Sequence, residues 1–215
     1  MHSLRVAVTT HSPAAVLDEC LGALAGARGI LVLSGPGARC PARLPEGFTV
    51  EREPRPGASH ARNRALAACE DGEIVAYVDD DAVPDPEFLG TMSAIWQDEG
   101  PDVACVAGRI ELRLPGPAPE WFAPELRTVF SELDLGPEPK DLDPAVNFAY
   151  GPNMSFRAGA LRAAGGFDPA LGPGPGRPGF AEEQEAQLAL VRLGHRVRWE
   201  PAPRVEHVVS EQALT

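Results

Sequence analysis

One stretch decides the fold of this chain: Ile74-Val75-Ala76-Tyr77-Val78-Asp79-Asp80-Asp81. Its first five residues are apolar or aromatic, a run too short for a helix and typical of a strand that is buried on both faces. Three carboxylates follow at the point where that strand leaves the sheet. Ligands of open α/β sheets bind at this carboxyl edge. The stretch therefore predicts a buried strand that ends at a functional site.

The three adjacent carboxylates allow two interpretations. They repel one another unless a cation or hydrogen-bond donors neutralise them, and Mg²⁺ or Mn²⁺ held by oxygen ligands leaves room for substrate phosphates. The first interpretation is therefore a metal–phosphate site. The second is an acidic turn that caps the next segment, Ala82-Val83-Pro84-Asp85-Pro86. The stretch alone does not separate them.

The composition is that of an acidic globular protein. The chain has 215 residues, of which 44% are hydrophobic, and a formal net charge of -12. This balance argues against a broad electrostatic surface for nucleic acid or anionic membranes. No apolar run approaches the ~20 residues that span a bilayer, and the N-terminus lacks a signal-peptide core. We expect a cytoplasmic protein with one domain over residues 1–215, no nucleic-acid partner and no transmembrane segment.

Short apolar runs alternate with helical patterns along the chain. The predicted strands of the first half are Leu4–Thr9, Ile30–Leu33 and Phe48–Val50, and the predicted helices run from about Ala14 to Leu24 and from Pro86 to Asp98. A further helix lies between Pro54 and Glu70. This alternation predicts an α/β domain with a mainly parallel central sheet flanked by helices.

Two helix starts carry polar residues of interest. Arg62 and Asn63 lie in the early turns of the helix that precedes the acidic strand, where they could equally be solvated surface. Glu182 and Glu183 open another helix and project near its apolar side. Carboxylates in a first turn can simply cap the helix, because its dipole favours them. Aimed into a cleft, one of them can instead accept a proton from a hydroxyl.

Five short motifs together resemble a known family. They are Ala61-Arg62-Asn63-x-Ala65, Asp79-x-Asp81, the segment from Asn147 to Arg157 with its Gly-x-Asn at Gly151 to Asn153, Gly165-Gly166-Phe167-Asp168, and Glu182-Glu183-Gln184-Glu185. In order and spread, from about Leu4 to His207, this set resembles the inverting family-two glycosyltransferases with the GT-A fold. The resemblance implies a single Rossmann-like GT-A domain with a nucleotide-donor half at about 1–114 and an acceptor and catalytic half at about 115–215.

The resemblance also implies roles on the donor side. It assigns nucleotide binding to six residues: Thr9, His11, Arg62, Asn63, Asp79 and Asp80. Asp81 would bind a divalent cation, Mn²⁺ or Mg²⁺, that bridges the donor diphosphate. His207 would be a further metal ligand, since neutral imidazole suits Mn²⁺, although a lone His is otherwise an ordinary surface or core group.

On the acceptor side, Glu183 stands where the family has its catalytic Asp. Glu is one methylene longer, so Glu182 stays an alternative as the base. Asn153 and Trp121 would contact the sugar or acceptor, and Trp121 fits an anchoring role in packing equally well. A second departure is Ser34-Gly35, where many members carry acidic residues that contact the base. The nucleotide therefore stays open between UDP, GDP and dTDP.

The sequence thus predicts a metal-dependent glycosyltransferase of hexosyltransferase type. It would move a sugar from a nucleotide-diphosphate sugar to a hydroxyl acceptor with inversion. One alternative is a non-catalytic member that only binds nucleotide or sugar, which the two departures allow. The other is a sugar-nucleotide nucleotidyltransferase, which needs a phosphate loop rich in Gly, Arg or Lys after the first strand. Residues Thr9 to Pro13 offer none, and Lys140 is the only lysine.

Overall fold

The computed structural model describes residues 2–11, 16–173 and 179–214. Within these ranges the chain forms one nine-stranded sheet that is accompanied by α-helices and short 3-10 turns. None of the described helices has the length and apolar character needed to cross a lipid bilayer.

The strands and helices follow in a regular order in the first half and less regularly in the second. The strands are β1 (Leu4–Thr10), β2 (Gly29–Ser34), β3 (Phe48–Glu53), β4 (Ile74–Asp79), β5 (Ala82–Pro84), β6 (Val103–Arg113), β7 (Lys140–Leu142), β8 (Met154–Arg157) and β9 (Arg196–Val208). The helices are α1 (Leu17–Ala23), α2 (Ala58–Ala67), α3 (Phe88–Asp98), α4 (Ala158–Ala163) and α5 (Glu182–Arg192). The 3-10 turns are Pro124–Phe130, Gly151–Asn153 and Glu211–Leu214.

The predicted elements of the first half are present, with shifted ends. β3 extends past Val50 to Glu53 because it pairs with β2 over its whole length. The helix expected from Ala14 begins at Leu17 in the structure, and the expected start lies outside the described residues.

The sheet is parallel in its first half and mixed in its second. The strand order is β3-β2-β1-β4-β8-β6-β9-β5, with β7 beside β9. β1 to β4 form parallel pairs, and so do β6 and β9. β8 runs antiparallel to both of its neighbours, β4 and β6. The reason is that the segment 114–153 makes no helical crossover between β6 and β8, so the chain enters β8 at the end of the sheet where it left β6. The expectation of a mainly parallel sheet is confirmed, because the pairs among β1 to β4 and the long β6–β9 pair are parallel and the antiparallel pairs are short.

This topology brings the ends of several strands to one edge of the sheet. Thr9 in β1 lies opposite Asp79 in β4, at the carboxyl ends of both strands. β8 begins at the same edge, because Met154 pairs with Tyr77. β9 ends there, and His207 pairs with Ala82 just after the acidic stretch. The edge therefore collects residues from both halves of the chain.

The central strand packs against an aromatic cluster. The rings of Tyr77, Phe156 and Phe167 meet edge to face, with centroids 5.4 to 6.1 Å apart. All three side chains are buried. The Tyr77 hydroxyl donates to the backbone carbonyl of Arg62 at 3.1 Å. The core thereby fixes α2 against the strand that carries the acidic residues.

The Asn153 side chain bridges β6 and β9 where the register between the two strands shifts. Gly108 pairs with Glu200, whereas the next residue, Arg109, pairs with Arg204, so the ladder skips three residues of β9. The fully buried Asn153 amide donates to the carbonyls of Arg109 at 2.8 Å and Pro203 at 3.1 Å. A Cβ on Gly108 would lie 2.2 Å from the amide nitrogen of Asn153, so glycine is required at that position.

We expect Asn153→Ala to lower the free energy of unfolding by about 1–3 kcal/mol, because two backbone carbonyls lose the buried amide that donates to them. Urea denaturation measures this change. The control is Asn147→Ala, the same substitution at an exposed position, which should shift stability by less than about 0.5 kcal/mol. Equal stability of the two variants would contradict a structural role for Asn153.

Candidate active site

A pocket of about 1200 Å³ opens at the shared edge of the sheet. It is somewhat larger than the roughly 300–1,000 Å³ that small-molecule sites usually occupy. Most of the residues singled out in the sequence line it: Thr9, His11, Arg62, Asp79, Asp80, Asp81, Glu182, Glu183 and His207. The ends of β1, β4 and β9 and the first turn of α5 supply all of these except Arg62, which comes from α2.

The centre of the pocket is an ion cluster around Arg62. Its Nη1 lies 2.9 Å from Glu182 Oε1 and 3.0 Å from Glu183 Oε1, and its Nη2 lies 3.3 Å from Asp79 Oδ1. Arg62 is only 4% exposed. Burial opposes the charge, but the three carboxylates outweigh it and raise the pKa of Arg62 above its ordinary value. The guanidinium is therefore a permanent buried cation, and the possibility of a solvated surface residue is excluded.

Glu183 is the more accessible of the two candidate bases. Its side chain is 15% exposed, against 3% for Glu182. Burial raises the pKa of Glu183, Arg62 opposes that rise, and the neighbouring Glu182 and Asp79 add to it. Tyr150 lies near the same carboxylate. Burial, followed by the charge of Glu183, raises the pKa of Tyr150. Glu183 is thus a carboxylate in a poorly solvated, largely acidic environment that still opens to the pocket.

An abrupt helix start directs both glutamates inward. Ala181, the residue before α5, has a φ of 79° in the left-handed region. That conformation costs a residue with a Cβ roughly 1–2 kcal/mol. The fully buried Gln187 then ties α5 to the opposite wall through two hydrogen bonds with the backbone of Ala149, of 2.8 and 2.9 Å. The first turn of the helix is thereby fixed relative to Tyr150 and Gly151.

Gly151 covers the ion cluster from this opposite wall. A Cβ at this position would lie 2.2 Å from Arg62 Nη2, 2.6 Å from Asp79 Oδ2 and 3.1 Å from Glu183 Oε1. Gly151 is required for this close approach rather than for its backbone angles, because its φ is not positive. Its position in the Gly-x-Asn motif was visible in the sequence, but its contact with Arg62 was not.

Asp81 and His207 form a second polar group in the pocket. His207 Nε2 lies 3.2 Å from Asp81 Oδ1, and Nδ1 lies 2.7 Å from the carbonyl of Phe130. A carbonyl only accepts, so Nδ1 carries a proton and Nε2 is directed at the carboxylate. Burial alone would lower the pKa of His207, but Asp81 outweighs it and raises that pKa. A ring fixed by a backbone carbonyl through its other nitrogen is the arrangement that metal-binding histidines adopt.

These two side chains suit a divalent cation without enclosing one. Carboxylate and imidazole are both accepted by Mn²⁺. Among residues 2–11, 16–173 and 179–214, however, no group of three or more His, Cys, Asp and Glu side chains surrounds a common point. A cation at Asp81 and His207 would therefore need oxygen ligands from a substrate, as Mg²⁺ and Mn²⁺ sites commonly use.

The other end of the pocket is formed by the first two strands. Thr9, Thr10 and His11 follow one another at the end of β1, and Ser34 ends β2. His11 Nδ1 contacts the carbonyl of Ser34 at 3.0 Å, which holds the ring at the pocket wall. The Thr10 hydroxyl is buried and has no hydrogen-bond partner among the described residues. Thr10 was not singled out from the sequence, and Ser34 was noted only as a departure from the acidic residues that many family members carry there. Both residues lie at strand ends on this edge.

Three expected site residues lie away from the pocket. The Asn63 amide donates to the carbonyl of Phe167 at 2.6 Å and accepts from its N–H at 2.9 Å, so it fixes the turn before that residue. The Asn153 amide bonds to backbone carbonyls of β6 and β9. Trp121 is half-exposed and packs its ring against Phe122. None of the three residues lines the pocket. The two amides bind backbone groups instead, and the Trp121 indole packs on the neighbouring Phe122 ring.

Comparison with known protein families gives one match that covers more than half of the chain. The sequence model described as glycosyl transferase family 2 matches residues 38–163. Among curated proteins, the chain is 27% identical over 158 residues to the glucosyl-dolichyl phosphate glucuronosyltransferase of Haloferax volcanii. This alignment covers 72% of the chain and 49% of the relative, so the chain spans about half the length of that protein.

Solved structures show the same fold at low sequence identity. The structure of GalNAc-T7 with UDP, GalNAc and Mn²⁺ superposes with a TM-score of 0.68 at 15% identity, covering 98% of this chain and 44% of the other. TarS 1–349 of S. aureus gives 0.64 at 18% identity, with coverages of 97% and 60%. A mycobacterial protein gives 0.55 at 22% identity, with coverages of 99% and 69%. The α/β GT-A fold expected from the sequence is confirmed, and the chain belongs to glycosyl transferase family 2.

Proposed function

We propose that this protein is a metal-dependent glycosyltransferase that moves a sugar from a nucleoside-diphosphate sugar to a hydroxyl acceptor with inversion. The observation that carries the proposal is that one pocket holds Glu183, paired with Arg62, together with the Asp81–His207 pair. The first group can remove a proton from a hydroxyl. The second offers donors that suit a cation, and a cation would stabilise the diphosphate as it leaves.

The charge of the pocket supports metal dependence. Its described lining includes five carboxylates and one arginine, and that arginine is already paired with three of them. A diphosphate entering this environment would be repelled. Asp81 and His207 would hold Mn²⁺ or Mg²⁺, and the bound cation would neutralise the charge that develops on the departing diphosphate. The presence of UDP and Mn²⁺ with GalNAc-T7 agrees with a donor of this kind.

The donor nucleotide would occupy the end of the pocket formed by β1, β2 and β4. Thr9 and His11 would line the base, and Asp79 and Asp80 would face the nucleotide. This assigns the donor to the half of the domain at about 1–114 and the acceptor to the half at about 115–215.

Glu183 would act as the general base. The acceptor oxygen would attack the anomeric carbon of the donor sugar while its proton passes to a carboxylate oxygen of Glu183. The bond between that carbon and the diphosphate oxygen would break, and the nucleoside diphosphate would leave with the electron pair. A single displacement of this kind inverts the anomeric configuration. Glu183 is preferred over Glu182 because more of its side chain is exposed to the pocket.

The acceptor end of the pocket has an apolar rim. Val129 is 73% exposed and Phe180 is 83% exposed, and both line the opening. Phe148 and Tyr150 also line the pocket, with ring centroids 4.7 Å apart. We propose that the acceptor carries an apolar group beside its hydroxyl. The name of the Haloferax volcanii relative, which includes a glucosyl-dolichyl phosphate, agrees with such an acceptor.

We expect Glu183→Gln to lower kcat by about 10²–10⁴, the usual contribution of a general base, without weakening nucleotide binding. Release of nucleoside diphosphate from UDP-, GDP- and dTDP-sugars measures the rate. Glu185→Gln is the control, because Glu185 lies in the same turn but pairs with Arg192 instead. Undiminished turnover by Glu183→Gln would refute the role of the base. Binding of nucleotide without any turnover by the wild type would favour the non-catalytic alternative.

We expect UDP binding to require Mn²⁺ and to weaken by about tenfold or more in Asp81→Asn, since a cation between protein and diphosphate loses a charged ligand. Isothermal titration calorimetry with and without Mn²⁺ measures the affinity. Asp98→Asn, at an exposed position of α3, should bind like the wild type. Equal affinity of wild type and Asp81→Asn would exclude the proposed metal position. Pyrophosphate release from a nucleoside triphosphate and a sugar phosphate would favour the nucleotidyltransferase instead.

A further inference from the structure

Both terminal nitrogens of the Arg62 guanidinium are paired with protein carboxylates. Two of its nitrogens contact the carboxylates of Glu182, Glu183 and Asp79 at 2.9, 3.0 and 3.3 Å. Its Nε is shielded from solvent and makes no hydrogen bond with the described residues. A nucleotide phosphate approaching this side chain would have to displace a carboxylate. The nucleotide-binding role implied by the family resemblance therefore does not fit the contacts of Arg62.

The surroundings of Arg62 also hold it in this position. The Phe167 ring lies 5.7 Å from the guanidinium carbon. Gly151 lies so close that even a Cβ would overlap with Nη2. On the backbone side, the buried Tyr77 hydroxyl donates to the Arg62 carbonyl at 3.1 Å. Movement toward the donor end would break the ion pairs and disturb this packing.

The groups around Glu183 show what the fixed cation does. Arg62 faces its carboxylate from α2, Asp79 from the end of β4, Glu182 from the same helix turn and Tyr150 from the segment before β8. Of these, only Arg62 is a cation. Burial, followed by the two acidic neighbours, raises the pKa of Glu183, and Arg62 counteracts that rise. Without Arg62, Glu183 would bind a proton at higher pH and would lose the partner that fixes its direction.

We propose that Arg62 is a positioning residue for Glu183: it holds the Glu183 carboxylate as an anion directed at the acceptor hydroxyl, and it does not bind the nucleotide. This assignment rests on the proposed function, in which Glu183 removes the acceptor proton. Gly151 belongs to the same arrangement, because it allows the guanidinium and two of its carboxylates to lie under the pocket wall.

The pH dependence of kcat/KM tests this role. Activity needs ionised Glu183, so it falls as the pH drops through the pKa of that group, and a raised pKa moves this acidic limb upward. Loss of a cation in contact with a carboxylate shifts the pKa by about one to three units. We therefore expect Arg62→Gln to move the limb upward by about that amount, and Arg62→Lys to move it less.

Nucleotide affinity separates this role from phosphate binding. The Kd for UDP with Mn²⁺, measured by calorimetry, should change by less than about threefold in both Arg62 variants. Arg64→Gln is the matched control, because Arg64 lies on the same helix and pairs with Glu51 at the surface. An unmoved acidic limb together with UDP binding weakened by about tenfold would overturn the proposal.

Since loss of a buried cation can prevent folding, Gly151→Ala provides a second variant. Its methyl group displaces the end of the Arg62 side chain but keeps the charge, and the acidic limb should again move upward. Gly90→Ala is its control, because a Cβ there meets nothing within 4 Å. An acidic limb in Gly151→Ala that matches the wild type would overturn the proposal.

A double variant shows whether Arg62 acts through Glu183. In the Glu183→Gln background, Arg62→Lys should cause no further loss of kcat, whereas an independent role would add a second loss. The outcomes for the two proposals stay distinct. Full turnover by Glu183→Gln would refute the proposed function itself. Loss of turnover by Glu183→Gln with additive effects of Arg62→Lys would refute only the positioning role.

Discussion

One buried guanidinium holds together three parts of the chain that are far apart in sequence. Arg62 in α2 meets Asp79 at the end of β4 and the first turn of α5, which begins at Glu182. Taking such charges out of water is costly, and removing one partner leaves the others unpaired, so a buried ion cluster favours a specific arrangement more than it favours stability. Here the arrangement brings the Arg62 and Asp79 motifs of the first half of the chain into one pocket with the glutamates of α5. The aromatic cluster packs against Arg62 on one side, and Gly151 leaves room for the guanidinium on the other.

The strands and helices of the first half of the chain could be predicted well because the signals there are local. The buried strand before Asp79, the alternation of strands and helices and the order of the motifs all lie within short windows. The burial of Arg62 could not be predicted, because the residues next to it in sequence suit a solvated side chain as well as a buried one. The carboxylates that surround it decide between the two. Two of those carboxylates lie about 120 positions later in the chain.

The contacts that the sequence did not reveal have a common physical cause, which is that their partners are far apart in the chain. Asn63 bonds to the backbone of Phe167, and Asn153 bonds to that of Arg109 and Pro203. Side-chain amides serve backbone groups as readily as ligands, and no local pattern reveals which they will meet. The antiparallel direction of β8 likewise depends on partners that are distant in the chain. The left-handed backbone of Ala181 is a further case, since strain of this kind persists only where the surrounding structure imposes it, most often at functional sites.

The reversed direction of β8 has a consequence for how this fold can diversify. The chain leaves β6 at Arg113, adds the short strand β7 beside β9, and enters β8 at Met154, at the same end of the sheet. Insertions or exchanges within that excursion need not alter any of the parallel strand pairings that carry Thr9 and Asp79. Substitutions on that side of the cavity, Gly151 excepted, can therefore accumulate without disturbing the strands that form the opposite side.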